Sequence, residues 1–175
     1  ALQILVSVIA TPYWGNSFVF WSLSLFFTML ALSFGYFFAP LILRKTKNNA
    51  TALLIKLLWA FYLYLIFIFI QADNLLLRLI SDYSSLITGN VITLFFFIFI
   101  PVMCLAMVPV LVINHRSNTQ TEDEGAVTGK VFSLSSLSGI TAVLLLSFVT
   151  IPIWGILATK IILLSIVFLL FFLFL

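Results

Sequence analysis

The chain has 175 residues, of which 64% are hydrophobic and 7% charged, with a formal net charge of +3. Its mean hydropathy is +1.31, which excludes a soluble domain, because a water-facing surface needs far more charge. The basic balance is then no nucleic-acid signal; it is the Lys and Arg that orient membrane segments.

A spanning helix needs about 20 apolar residues. The apolar segments leave room for little else, so the sequence predicts an all-α, polytopic integral membrane helical bundle. Residues 1–175 form one transmembrane domain of five to six transmembrane helices plus one interfacial helix. Residues 1–11 are apolar but too short to span, so the first helix is expected to be truncated at residue 1. No basic leader region or cleavage site marks a signal peptide. Pro12 is expected to stop this helix, with Tyr13 and Trp14 as interfacial anchors.

The second span covers about 17–43 and ends at Arg44, Lys45 and Lys47. Ala31, Gly35 and Ala39 repeat at spacing four, a small-residue face that suits close helix packing, with the 130–150 span as its natural neighbour. Pro40 is placed to kink its end. Asn49-Ala50-Thr51 matches a glycosylation sequon, but the basic residues around it put this loop in the cytoplasm. The third span covers about 51–71, with Lys56 able to snorkel to the interface.

Residues 73–88 differ. Leu75, Leu76, Leu79, Ile80, Tyr83, Leu86 and Ile87 form one stripe, against polar Asp73, Arg78, Asp82 and Ser85. This predicts a helix lying in the interface, capped by Asp73 or Asn74. Its sharper reading makes the charged residues, Arg78 among them, a contact for a partner or lipid. The fourth span covers about 90–113, where Pro101 and Pro109 each remove a backbone donor and should bend it. Residues 114–128 then form the longest polar loop, read as cytoplasmic.

The stretch from Gly125 to Gly155 organises the chain. Ser135, Ser138, Gly139 and Ala142 share one helical face, which reads as a packing surface for another helix. A substrate path past Ser135, Ser138 and Thr141 is the functional alternative; hydroxyls that bond back to their own helix favour packing. The last span covers about 156–175. Lys160 on it reads as an outward-snorkelling anchor, or as a contact for an anionic lipid headgroup or an acidic partner. Arg44, Lys45, Lys47, Lys56, Arg116 and Lys130 lie near the 2–3 and 4–5 connections, against Arg78 and Lys160 at the other side. That asymmetry puts those connections in the cytoplasm, and both termini with them once the first helix is completed.

The opening LQILVSVIATPYWGNSFVFW…ALSFGYFF resembles that of the bacterial fused major-facilitator/spermidine synthase-like family, the membrane-embedded spermidine synthase-like proteins. Pro12, Gly15, Trp21, Ala31, Leu32, Gly35 and Tyr36 fall in step with its A-P-x-F-G and A-L-x-x-G-Y pattern. Gly125, Gly129, Gly139, Pro152, Gly155 and Thr159 are similar to its second signature. The resemblance implies a bacterial inner (cytoplasmic) membrane protein. The family's early acidic and basic residues fall here on Gln3 and Val8, and Phe132 and Ser136 stand where it has Tyr and Asn. Since intramembrane charge is costly and functional, these departures imply a scaffold that has dropped part of the chemistry.

The chemistry itself is missing. Spermidine synthase-type catalysis needs a soluble nucleotide-binding domain with Gly-rich turns, and this chain has no G-x-G. One His115 and one Cys104 exclude a bis-histidine haem and an ordinary zinc site within the chain. Glu122, Asp123 and Glu124 read as a solvated acidic run. The expectation is a non-catalytic membrane subunit, not an enzyme, without cofactors, embedded in the lipid bilayer and packed against other membrane protein subunits. A small-molecule carrier and the membrane domain of a longer synthase-like enzyme are the alternatives; a polyamine carrier would need carboxylates at membrane depth, which this chain lacks.

Overall fold

The computed structural model describes residues 2–15, 17–45, 50–82, 86–119 and 124–173, and all but Gly15 and Ser17 of these are helical. The helices are α1 (Leu2–Trp14), α2 (Phe18–Lys45), α3 (Ala50–Asp82), α4 (Leu86–Leu94), α5 (Ile100–Thr119), α6 (Glu124–Leu145) and α7 (Ile151–Leu173). One π-turn, Phe95–Phe99, joins α4 to α5, and another, Leu146–Thr150, joins α6 to α7. Side chains this apolar offer the backbone few partners, so its N–H and C=O groups are met within helices.

Four stretches are long and apolar enough to cross a membrane: Phe18–Lys45, Thr51–Leu79, Ile87–Arg116 and Gly125–Leu169. The last has 45 residues, about 67 Å if straight, or twice the hydrocarbon thickness of a bilayer. It is not straight. Gly155 has φ +76° and ψ 177°, a conformation open only to glycine, and it breaks α7 near its start. Ala142, Leu146 and Thr150 before the break line one cavity with Thr159, Ile162 and Ile166 after it. The chain therefore doubles back at Gly155. Thr159 Oγ1 donates to the Gly155 carbonyl at 2.7 Å, holding the new helix against the turn.

Pro12 does not stop α1, which runs on to Trp14. The stop is Gly15 at φ +75°, whose N–H reaches the Thr11 carbonyl at 2.9 Å, a left-handed helix cap. The separate helix expected over 73–88 does not begin at Asp73: residues 73–82 are the last turns of α3. No Gly or Pro interrupts the chain between Ala50 and Asp82, so nothing breaks the helix. Asp73 and Asn74 serve as no cap there; Asn74 Nδ2 bonds Gln71 Oε1 one turn back. Tyr83, Ser84 and Ser85 lie outside the described residues. The polar loop expected over 114–128 shrinks likewise, since α5 extends to Thr119 and α6 starts at Glu124.

Both π-turns sit against a proline. In the first, the Ile100 N–H reaches back to the Phe95 carbonyl; the next donor belongs to residue 101, a proline that has none. In the second, the Ile151 N–H reaches Leu146, and residue 152 is again proline. The wider turn relieves the clash between each proline ring and the carbonyl four residues before it. It also leaves the Phe96 and Ser147 carbonyls without a helical donor. Tyr64 Oη, on α3, donates to the Phe96 carbonyl at 2.7 Å.

The main core lies where α1, α3 and the α4–α5 rod meet, around Leu5, Ile9, Leu65, Leu76 and Ile98. A smaller cluster of Leu43, Leu54, Leu58 and Leu111 ties the end of α2 to the start of α3 and to α5. Thr51 Oγ1 and His115 Nδ1 are 3.3 Å apart at that same end. Arg44, Lys45, Lys56, Arg116 and Lys130 thus gather at one end of the bundle, while Arg78 stands at the other.

Candidate functional site

The two small-residue faces have opposite fates. On α2, Ala31 and Ala39 are sealed and Gly35 is buried. A Cβ at Gly35 would lie 2.5 Å from Ala106 Cβ and 2.7 Å from the Met103 carbonyl, so α2 and α5 meet backbone to backbone there. The neighbour of this face is α5, not the 130–150 segment. On α6, Ser135, Ser138 and Gly139 are exposed and Ala142 is half-buried. A Cβ at Gly139 would meet nothing within 4 Å. The most apolar window of Gly125–Leu169 is 0% buried, against 22–44% in the other three long segments. Ser138 Oγ donates to the Ser135 carbonyl and Thr141 Oγ1 to that of Leu137, each at 2.9 Å. These hydroxyls spend their protons on their own helix.

Polar groups collect at the other end, around α1. Gln3, Ser7 and Thr11 recur every four residues and form one polar line on it. Gln3 Nε2 donates to Ser24 Oγ on α2 at 3.1 Å, and both Ser7 and Ser24 are buried. Trp14 is no lipid-facing anchor. It is buried, its ring lies directly on Gly89, and its Nε1 donates to buried Thr93 Oγ1 at 3.1 Å. Tyr13 Oη donates to Asp73 Oδ1 at 3.1 Å across α1 and α3. One helical turn before Thr93, Asn90 is buried with its Oδ1 bonded to nothing among the described residues. The four-residue spacing of Gln3, Ser7 and Thr11 was the available signal for this network; Gly89 gave none, because its role exists only against Trp14.

The Lys160 stem lies against the protein, as a snorkelling lysine requires. Only 8% of the residue is exposed, next to a fully buried Thr159. It lies on the stripe Ile156, Leu163, Leu164 and Val167 that packs α7 onto the main core. Among the described residues nothing is bonded to its amine. Arg78, by contrast, is exposed near the end of α3.

The cavities are apolar. A groove of about 610 Å³ runs along α7 beside α3, lined by Tyr62, Ile161, Leu164, Ser165 and Phe168 among others. A pocket of about 370 Å³ lies inside the Gly155 hairpin, where Leu2 and Phe61 close it. Among the described residues no three His, Cys, Asp or Glu side chains come together to hold a metal. His115 is exposed at the opposite end from Asp73, and Cys104 is half-buried within α5. The side chains of Glu122, Asp123 and Glu124 lie outside the described residues. No family model, curated protein or solved structure matches this chain.

Proposed function

We propose that the chain is a non-catalytic, integral membrane subunit whose α6 face docks a transmembrane helix of a partner in a larger membrane complex. It crosses the bilayer five times, counting the Gly155 hairpin as two crossings, and α1 packs against these spans. The cation-bearing end faces the cytoplasm of a bacterial inner membrane, and the last span ends on that side. In this reading the chain corresponds to the membrane part of the spermidine synthase-like proteins that its sequence resembles.

The observation that carries the proposal is the contrast between two like faces. Helices in lipid gain little from apolar contact and associate where small residues let backbones approach. The α2 face is closed by α5 at Gly35, whereas the α6 face, built the same way, has open space at Gly139. The Ser147 carbonyl adds to this. It lacks a helical donor, as Phe96 does, yet no counterpart of Tyr64 reaches it among the described residues. An unmet carbonyl in lipid costs several kcal/mol, and a hydroxyl-bearing partner helix would relieve it.

The test is native mass spectrometry after mild detergent extraction, on the natural chain and on Gly139→Leu. A co-purifying membrane protein that the substitution releases is the expected result. A partner retained equally by both proteins, or a chain that is alone in every gentle extract, overturns the proposal.

A further inference from the structure

We infer that the crevice inside the Gly155 hairpin binds one hydrocarbon chain of a bilayer lipid, taken in sideways from the membrane. The inference rests on the membrane reading above and not on the partner helix.

The crevice belongs to the inside of the bundle. Residues of α1, α3, α5, α6 and α7 all line it. Leu2, Phe61, Thr159 and Val167 form its floor, each at most 9% exposed. Leu105, Leu145 and Ile166, 40–56% exposed, line it too and form its mouth on the apolar outer surface. It is therefore a slot, sealed towards the core and open towards lipid.

Its chemistry and dimensions select the occupant. Water does not suit it. Thr150 and Thr159 are the only polar residues in the lining. The Thr150 hydroxyl donates to the Leu146 carbonyl at 3.2 Å and that of Thr159 to the Gly155 carbonyl at 2.7 Å. A buried water needs two or more polar partners, and apolar cavities stay dry. Nor is the slot small enough to stand empty. Its volume is about 370 Å³, more than twice that of an engineered cavity of about 150 Å³ that takes in benzene. Unfilled, it deprives its walls of contacts, at a cost that grows with volume.

A helix does not fit. From Ala142 to Thr150 on one arm, and from Thr159 to Val167 on the other, the lining rises about 12 Å. That length leaves a cross-section of about 30 Å², against the roughly 80–110 Å² of a helix about 10–12 Å wide. A single hydrocarbon chain is the occupant that is narrow, apolar and supplied by the surroundings. Thr150 and Ala142 stand about 8 and 20 Å before Gly155 along the helix. With the hairpin turn at the membrane surface, that is the level of acyl chains. No charged residue lines the slot, so it selects the tail and not the headgroup.

The experiment uses the full chain, delipidated at one fixed detergent concentration and offered dioleoyl phosphatidylcholine or dioleoyl phosphatidylglycerol. Retained lipid is read by native mass spectrometry and stability by thermal melts. The natural chain should keep one lipid of either headgroup. Ala142→Phe and Thr150→Phe, which fill the slot, should each lower that retention by about tenfold. Leu137→Phe, on the exposed side of α6 and outside the slot, should leave it unchanged. Delipidation should lower the melting temperature of the natural chain and added lipid restore it, whereas the melt of Ala142→Phe should not respond to lipid.

Equal retention by the natural chain and the filled variants overturns the inference. Retention of phosphatidylglycerol alone overturns it as well, because the contact is then with a headgroup. So does a natural chain that keeps no lipid and melts alike with and without it. If Ala142→Phe does not fold, Thr150→Phe and the melts of the natural chain decide. A chain that stays soluble without detergent removes the membrane reading, and this inference with it.

Discussion

Tyr64 shows how one side chain can settle a backbone fault. Pro101 deprives the Phe96 carbonyl of its donor, and the Tyr64 hydroxyl supplies another at 2.7 Å. Removing it should leave an acceptor unmet on an apolar, lipid-facing surface, so Tyr64→Phe is expected to cost about 1–3 kcal/mol. In a Pro101→Ala background the backbone donor returns and the same change should cost much less. Thermal melts of the four proteins of this double-mutant cycle measure the coupling; additive losses would mean that Tyr64 acts by packing alone. The glycines give a second residue-scale test. Gly35→Ala pushes a methyl into the Met103 carbonyl and Ala106, and should destabilise by roughly 1–3 kcal/mol. Gly139→Ala meets open space and should be neutral or raise the melting temperature through better helix propensity. Melts that rank the two the other way would remove the α2–α5 contact as a stabilising one.

At the scale of elements, the two π-turns and the Gly155 break divide the long helices. Pro101 was legible in the sequence as a fault, and a bend was expected there. That the fault takes the form of a π-turn depended on neighbours: Phe95 and Phe99 stack at 5.0 Å across the widened turn, and Phe34 on α2 packs on Phe99. Pro109, also expected to bend its helix, lies within α5 without breaking it. The amphipathic stripe at 75–87 was read as a separate helix because its polar residues stood out. It continues α3 because no breaker precedes it, and buried Leu76 anchors the extension to the core. Adding a breaker tests this. Asn74→Pro removes a mid-helix donor and should cost about 3 kcal/mol or more, whereas a junction between two helices would tolerate it. Melting and helical signal by circular dichroism distinguish the outcomes.

For the whole molecule, the arrangement of cations makes the boldest forecast. Arg44, Lys45, Lys56, Arg116 and Lys130 lie at one end, which the excess of Lys and Arg assigns to the cytoplasm. With Cys104 replaced by Ala, a cysteine at Ser117 should resist a membrane-impermeant thiol reagent in intact cells, and one at Ser17 should react. The reverse pattern would invert the topology, and labelling of both would remove the spanning arrangement. The sequence by itself determined the helical class, most helix limits to within a few residues and the likeness of the two small-residue faces, because these follow from local composition and spacing. Only the tertiary structure decided which small face is closed, that Trp14 seats on Gly89 inside the bundle, and that the Lys160 stem lies on the core-facing stripe of α7. Those outcomes turn on which helix stands next to which. In a chain this uniformly apolar, hydrophobic pattern barely separates one helix face from another, so the neighbours are chosen by a few close approaches and hydrogen bonds between residues far apart in sequence.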